Sequence, residues 1–366
     1  GWVEDIDALR VEMGRKHLRD ESEIPMRVLA HREEPLETRI LVRGELEDPG
    51  ELVQPGFPAH IANEPALDEV LPERRRAALA DWLASRDHPL TARVMVNRVW
   101  QWHFGQGLVA TPNDFGVRGD RPTHPGLLDW LAVEFMDHGW SLKHLHRTLM
   151  LSSTYQMAAT VDPATIGSDP DNRLLTRFQP RRLEAEAVWD SIRAVAGTLN
   201  RTLYGLPFAP PLDEQEQIGN FRKWPVSTPE EEDRRAVYLL VKRSFRFPML
   251  SAFDLPENTA SCGRRDITTV PNQALTLMNN GTIRQQAAAF ADRLLQETRG
   301  DLSAIPGRAW TLAYGRHITP EEYETVEGFL RTRIQASADD PDDAARTAIE
   351  ELCLALFNTN EFIYLQ

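Results

Sequence analysis

The chain has 366 residues, 42% hydrophobic and 26% charged, a balance that excludes collagen, coiled coil and wholesale disorder. Such a length buries one large core or two smaller ones, because single cores stop growing near ~250 to 300 residues; two packed lobes are expected. Lysine and arginine number 41 against 55 acidic residues, a formal net charge of -14, which repels phosphate backbones and anionic lipid and excludes nucleic acid as the main partner.

The first stretch, residues 1–71, is rich in charge and proline. Its one apolar run, Ile40-Leu41-Val42, leads into Arg43-Gly44 and Asp48-Pro49-Gly50, predicting a strand followed by turns within an extended arm. The opening Gly1-Trp2-Val3-Glu4-Asp5 shows no basic segment leading into an apolar run and reads as a processed or truncated piece. No stretch is long and apolar enough for a bilayer: even residues 94–109 are crossed by Arg98, Gln101 and His103.

Residues 72–160 read as a tryptophan-rich helical lobe. A helix from Pro72 carries Ala78, Leu79, Trp82 and Leu83 on one side and stops at Asp87-His88-Pro89. The next starts near Thr91, is apolar nearly all round, and ends at Gly105. A third begins at Pro125 with Leu127, Leu128, Leu131 and Phe135 inward and stops at Gly139. Ser141 caps a fourth, predicted to run to about Tyr155.

Residues 161–366 read as a second, mainly helical lobe. Polar residues 161–172 link the two, and a long amphipathic helix is expected over residues 181–199. Residues 201–233 form a proline-bearing loop with the acidic run Glu230-Glu231-Glu232-Asp233. The β-rich run 236–241 predicts a buried strand, followed by an irregular segment over 245–271. Helices are expected over 272–279 and 282–298, from Thr319 with Glu322 completing a capping box, and over 342–357. The fold class is therefore mainly α: a multi-helix body with a few short strands and long irregular loops.

Three groups of polar residues invite a chemical reading. Arg93, Asn97 and Gln101 recur at four-residue steps on an apolar helix. A buried polar stripe needs partners, and the turn over residues 111–116, with Asp114, is the expected one. Glu186 and Asp190 share a helix face; paired carboxylates do acid–base work when burial separates their pKa values, but Arg182 and Arg193 beside them favour an ion-pair ladder. Arg243, Asp254, Arg264, Arg265 and Asp266, with Asn258, Thr268, Thr269 and Gln273, concentrate in the irregular segment. Loops on a rigid scaffold are where binding chemistry usually sits. This group is the leading binding candidate, with Arg243 or Arg264 suited to clamping a carboxylate or sulfate; a polar network that merely closes the segment is the competing reading.

His88, His103, His124, His138, His144 and His146 crowd the first helical lobe, yet no His-Glu-x-x-His spacing occurs, and His144 and His146 point to opposite sides of a helix. No metal and no cofactor are expected. Cys262 and Cys353 fit no metal or haem-attachment spacing and read as buried thiols, although a disulfide between them stays open. Phosphate-binding loops, nucleophile elbows and kinase signatures are absent from the sequence.

The segments His88-Pro89-Leu90-Thr91-Ala92-Arg93, Val96-Asn97-Arg98-Val99-Trp100, His103-Phe104-Gly105, Thr111-Pro112-Asn113-Asp114-Phe115-Gly116, Gly139-Trp140-Ser141-Leu142-Lys143, Lys242-Arg243, Phe253-Asp254 and Thr269-Val270-Pro271-Asn272-Gln273 resemble a planctomycete-type domain of unknown function, the C-terminal planctomycete-specific domain. The resemblance covers about residues 20 to 366. It implies export to a periplasmic or extracellular setting and proximity to redox proteins, because such domains follow cytochrome c-like modules; it transfers no catalytic residue. The reading that follows is an interaction or scaffold module without its own cofactor, partnered by other protein subunits such as c-type cytochromes or a membrane electron-transfer complex. The alternative is an exported enzyme acting on a glycan or other anionic polymer, with Glu186 or Asp190 as acid or base.

Overall fold

Helices carry the architecture, because most apolar residues recur at spacings of three and four. A computed structural model describes residues 36–58, 61, 67, 70–212, 224, 226–243, 245–337 and 340–365. These form fourteen helices and two small two-stranded sheets, a mainly α fold. The described residues divide between Gln179 and Pro180 into two units, each taken by itself below.

The first unit opens with a hairpin. Strand β1 (Thr38–Leu41) pairs antiparallel with β2 (Pro49–Val53), with Thr38 opposite Val53 and Arg39 opposite Leu52. Pro49-Gly50, expected as a turn, instead begins β2; proline is tolerated at the first residue of an edge strand. Helix α1 (Arg75–Leu83) follows a single 3-10 turn at Pro72–Arg74. Its expected inward face is not covered: Leu79 and Leu83 are exposed. Only Trp82 finds aromatic partners, stacking on Phe57 at 4.8 Å and meeting His88 edge-on at 4.5 Å.

Helices α2 (Thr91–Phe104), α3 (Pro125–Asp137) and α4 (Leu142–Met150) build the core of this unit. Val96, Val99 and Trp100 meet Leu128, Leu131 and Phe135 of α3 and Leu145 and Leu149 of α4. Gly105 ends α2 with φ of 81°, a left-handed value suited to glycine. Ser141 caps α4 by accepting from the His144 amide at 3.3 Å. This helix stops at Met150 and not near Tyr155, because Ser152 Oγ donates to the Leu149 carbonyl at 2.6 Å and turns the chain. A six-residue helix, α5 (Pro163–Ser168), capped by Asp162, occupies part of the expected linker.

In the second unit, β3 (Arg181–Arg182) pairs antiparallel with β4 (Tyr364–Leu365). Helix α6 (Ala185–Ala196) therefore starts four residues later than the apolar periodicity suggests, since Arg181 and Arg182 are held extended by the chain end. Ala185, Val188, Trp189, Ile192 and Ala196 face inward, and Gly197 (φ 84°) closes the helix. After the one-turn helix α7 (Pro229–Glu232), the run expected as a buried strand is a 3-10 turn at Ala236–Tyr238. Ala236 and Leu239, three apart, are buried while Val237 and Val241 are exposed. The strand reading fails because Asp190 accepts the Ala236 amide at 2.7 Å and fixes a turn there.

Helices α8 (Pro248–Ala252), α9 (Pro271–Asn279), α10 (Gly281–Thr298), α11 (Ile305–Tyr314), α12 (Pro320–Ala336), α13 (Pro341–Phe357) and α14 (Asn360–Ile363) complete the unit. Thr319 and Glu322 form the expected capping box; α11 had no counterpart in the sequence reading. The core runs through Trp189, Ile192, Phe290, Leu294, Ile349 and Phe357, with Phe290 stacked on Phe357 at 5.9 Å. Each such side chain contributes about 1.5 to 3 kcal/mol on burial.

Candidate functional site

The leading binding candidate from the sequence lies where β3, the end of α8 and the start of α9 meet. Arg182, almost fully buried, donates to a carboxylate oxygen of Asp254 and, at 3.1 Å, to the Leu183 carbonyl, and its guanidinium lies 5.3 Å from the Phe253 ring centre. Asp254 adopts a left-handed φ of 63° just past α8, which turns its carboxylate back to accept from Thr268 N at 2.9 Å and Thr268 Oγ1 at 2.8 Å. Gln273, buried in α9, donates to the Thr268 carbonyl at 3.0 Å. Thr269 Oγ1 meets the Tyr364 hydroxyl of β4 at 3.2 Å. These contacts tie Arg182, Asp254, Thr268 and Gln273 to one another, while the buried Nε of Arg182 has no hydrogen-bond partner among the described residues.

In the first turn of α6, Glu186 is gripped by Arg265 through both carboxylate oxygens, at 2.6 and 3.0 Å, with Glu184 at 3.6 Å from the same guanidinium. Desolvation pulls on the guanidinium, but the Glu186 hydrogen bonds and the Glu186 and Glu184 charges outweigh it and hold Arg265 above its ordinary pKa. Asp190 accepts from Arg235 Nε at 2.9 Å. Arg193, buried and lying 3.2 Å over the Trp189 ring, donates to Asp233 at 3.0 Å; burial pulls its pKa down to about 10 against the attraction of Asp233. An ion-pair ladder is thus present, with different rungs from those expected. Arg182 and Arg193 serve Asp254 and Asp233, because the two helix-flanking carboxylates are reached first by Arg265 and Arg235.

Arg243, Arg264 and Asp266 are exposed. Arg243 makes no ion pair among the described residues, and the Arg264 carbonyl accepts from Cys262 Sγ at 3.2 Å. Neither arginine lines the cleft of about 420 Å³ formed by Asn200, Tyr204, Leu206, Thr228 and Arg234. Cys353 is buried as expected, but Cys262 is exposed, and both are free thiols.

In the first unit the polar stripe of α2 does not hold the turn as a block. Arg93 reaches Asp129 of α3 at 2.7 Å and the Pro89 carbonyl at 2.7 Å. Asn97, fully buried, clasps the backbone of Val109, donating to its carbonyl at 3.0 Å and accepting from its amide at 2.8 Å. Asp114 accepts from Gly116 N at 2.8 Å and stabilises its own turn, which α2 reaches through a hydrogen bond from Arg98 to Asn113 at 3.0 Å and through Phe115, packed on the core that α2 helps to build. Four residues advance a helix by somewhat more than one turn, so the three side chains fan out. Glycines complete the clasp: a Cβ on Gly107 would lie 2.6 Å from Asn97 Nδ2, and one on Gly119 would lie 2.0 Å from the Asp114 carbonyl oxygen.

His124 meets its neighbour Thr123 Oγ1 at 3.0 Å, and the other five histidines of residues 72–160 divide into three roles. His88 Nδ1 accepts the Leu90 and Thr91 amides at 3.2 and 3.1 Å and so caps α2, with its pKa lowered by burial. His103 and His146 hydrogen-bond at 2.7 Å, with Tyr155 edge-on to His103. His138 and His144 converge on Glu134, a grouping the sequence reading did not single out; its signal is Glu-x-x-x-His followed by a histidine six residues later.

The fold and these contacts define a class: a mainly helical protein of two units whose irregular segments are braced by arginine–carboxylate pairs. A family model described as PSD1, a protein of unknown function (DUF1553), matches residues 75–330, and the chain belongs to that family. No curated protein and no solved structure matches it.

Proposed function

We propose that this chain is an extracytoplasmic interaction or scaffold module, partnered by other protein subunits of a c-type cytochrome or membrane electron-transfer assembly. The observation that carries the reading is the occupation of the candidate carboxylates: Glu186 by Arg265, Asp190 by Arg235 and Asp254 by Arg182. A carboxylate whose oxygens are taken up by an arginine of the same chain is held in a structural ion pair and is not left open to meet a substrate. Glu186 or Asp190 is the acid or base that a glycan-cleaving reading requires, so the same pairs speak against that alternative.

Two further features support docking. Trp102 and Trp130 project from α2 and α3 about half exposed, and exposed tryptophan is a frequent anchor of protein interfaces. The charge of -14 suits basic partners and steers their approach. Among the described residues no helix is long and apolar enough to cross a membrane.

The experiment is affinity isolation of the tagged chain from its native source at low and high salt, followed by mass spectrometry and haem staining. The expected result is salt-sensitive enrichment of a c-type cytochrome or its membrane complex, reduced by Trp130→Ala. Recovery without any redox protein sinks the proposal.

A further inference from the structure

We propose that Glu134, His138 and His144 form a binding site for a divalent transition metal of the zinc class. Glu134 and His138 stand four residues apart where α3 ends, which places them on one face of the helix. His144 comes from the first turn of α4, brought over by a tight reversal in which Gly139 and Trp140 both take left-handed φ values, 63° and 58°. The reversal is held firmly: Trp140 N donates to the Phe135 carbonyl at 2.9 Å and its ring packs edge-on against Phe135. All three donors therefore ride on fixed elements, as a metal site requires.

The donor atoms lie within 4.8 Å of one another, and this is the only such trio of His, Cys, Asp or Glu among the described residues. A single oxygen, Glu134 Oε1, stands 2.9 Å from His144 Nε2 and 3.2 Å from His138 Nδ1. The two imidazoles are stacked 3.7 Å apart and almost parallel, at 7°. Two imidazoles and one carboxylate are donors that zinc, cobalt and nickel prefer over magnesium or calcium. The C-terminal end of α3 adds its negative dipole end, which favours a cation.

His144 Nε2 hydrogen-bonds the Glu134 carboxylate, whereas His138 Nδ1 hydrogen-bonds the Glu134 backbone carbonyl at 2.9 Å with the carboxylate beside it. Each histidine ligates a metal through a ring nitrogen that carries no proton. Because imidazole lone pairs lie in the ring plane, the parallel stack has to open by rotation about χ2. Side-chain exposures of 46% for His138 and 31% for His144 leave room for that rotation and for a hydrated ion to enter. Three protein ligands leave one tetrahedral position to water or to a donor from another molecule. By contrast, His103 and His146 hydrogen-bond to each other at 2.7 Å and belong to no compact trio of donors among the described residues.

The test uses the whole chain, stripped of metal by chelator, with zinc chloride as the titrant in calorimetry and cobalt chloride for visible absorption. The expected result is one saturable zinc per chain, and affinity weakened at least about tenfold in Glu134→Gln, a loss that even outer hydrogen-bond partners of a metal cause. The double variant His138→Ala, His144→Ala loses saturable binding and the cobalt d–d bands, while His146→Ala binds as the parent does. Circular dichroism verifies that each variant is folded. A parent chain that takes no zinc, a double variant that binds unchanged, or equal loss in His146→Ala overturns the proposal.

Discussion

Arg182 and Asp254, 72 residues apart in sequence, meet as a buried ion pair that joins β3 to the end of α8. The pair replaces the expected contact between Arg182 and Glu186, and it shuts the irregular segment that follows α8 through Thr268 and Gln273. Its energetics make it the most informative place to perturb this unit.

Removing Asp254 leaves the Arg182 guanidinium buried without its anion. Breaking one side of a buried pair costs about 3 to 5 kcal/mol, so Asp254→Ala is expected to shift the urea midpoint by the corresponding amount. Removing both charges, as Arg182→Met with Asp254→Asn, is expected to recover part of that loss. Equal destabilisation in the single and double variants would contradict the account.

The Arg265–Glu186 pair is about one-third exposed on each side, so solvent screens it and its contribution is smaller, about 1 kcal/mol at most. Arg265→Ala is therefore expected to change global stability little while opening the segment it anchors. Limited proteolysis reads this directly: faster cleavage within residues 255–267 is the expected result, with the helical core intact.

Asn97 serves both the amide and the carbonyl of Val109 in a fully buried position. Leaving such groups unpaired costs about 1 to 3 kcal/mol each, so Asn97→Ala is expected to destabilise the first unit measurably in thermal denaturation. Gly107→Ala is expected to act in the same direction, because its new Cβ meets Asn97 Nδ2 at 2.6 Å.

His88 accepts two backbone amides through Nδ1 and must be unprotonated there to do so. Its folded pKa lies below the ordinary 6.5 because of burial. A depressed folded pKa means the unfolded chain binds the proton first, so the contribution is present above the unfolded pKa and is lost as pH falls through the folded one. Stability measured from pH 7 downward is expected to decline from near pH 6.5. In His88→Asn, whose carbonyl oxygen accepts without titrating, that decline is expected to flatten; an unchanged slope would assign the effect elsewhere.

The helices were readable where local rules are strong. Pro125 at the start of α3, Ser141 before α4 and Thr319 with Glu322 before α12 satisfy backbone groups within a few residues, so their positions follow from sequence neighbours. Elements failed where a distant partner intervened. Arg181 and Arg182 left the helix to pair with the chain end, and Ala236 became a turn under the pull of Asp190. Asp254, Arg265 and Gln273 were legible as a polar cluster, and the structure joins them to Arg182, Glu186 and Thr268.

Residue order alone established the mainly helical class, the principal caps and the family to which the chain belongs, because periodicity, capping and motif are properties of short stretches. Tertiary packing alone decided which arginine neutralises which carboxylate, that Asn97 clasps Val109 instead of the turn beyond it, and that His144 arrives beside Glu134 and His138. Charge pairing is chosen by distance in space, and helices joined by reversals such as Gly139-Trp140 bring together side chains whose spacing along the chain follows no single helical repeat.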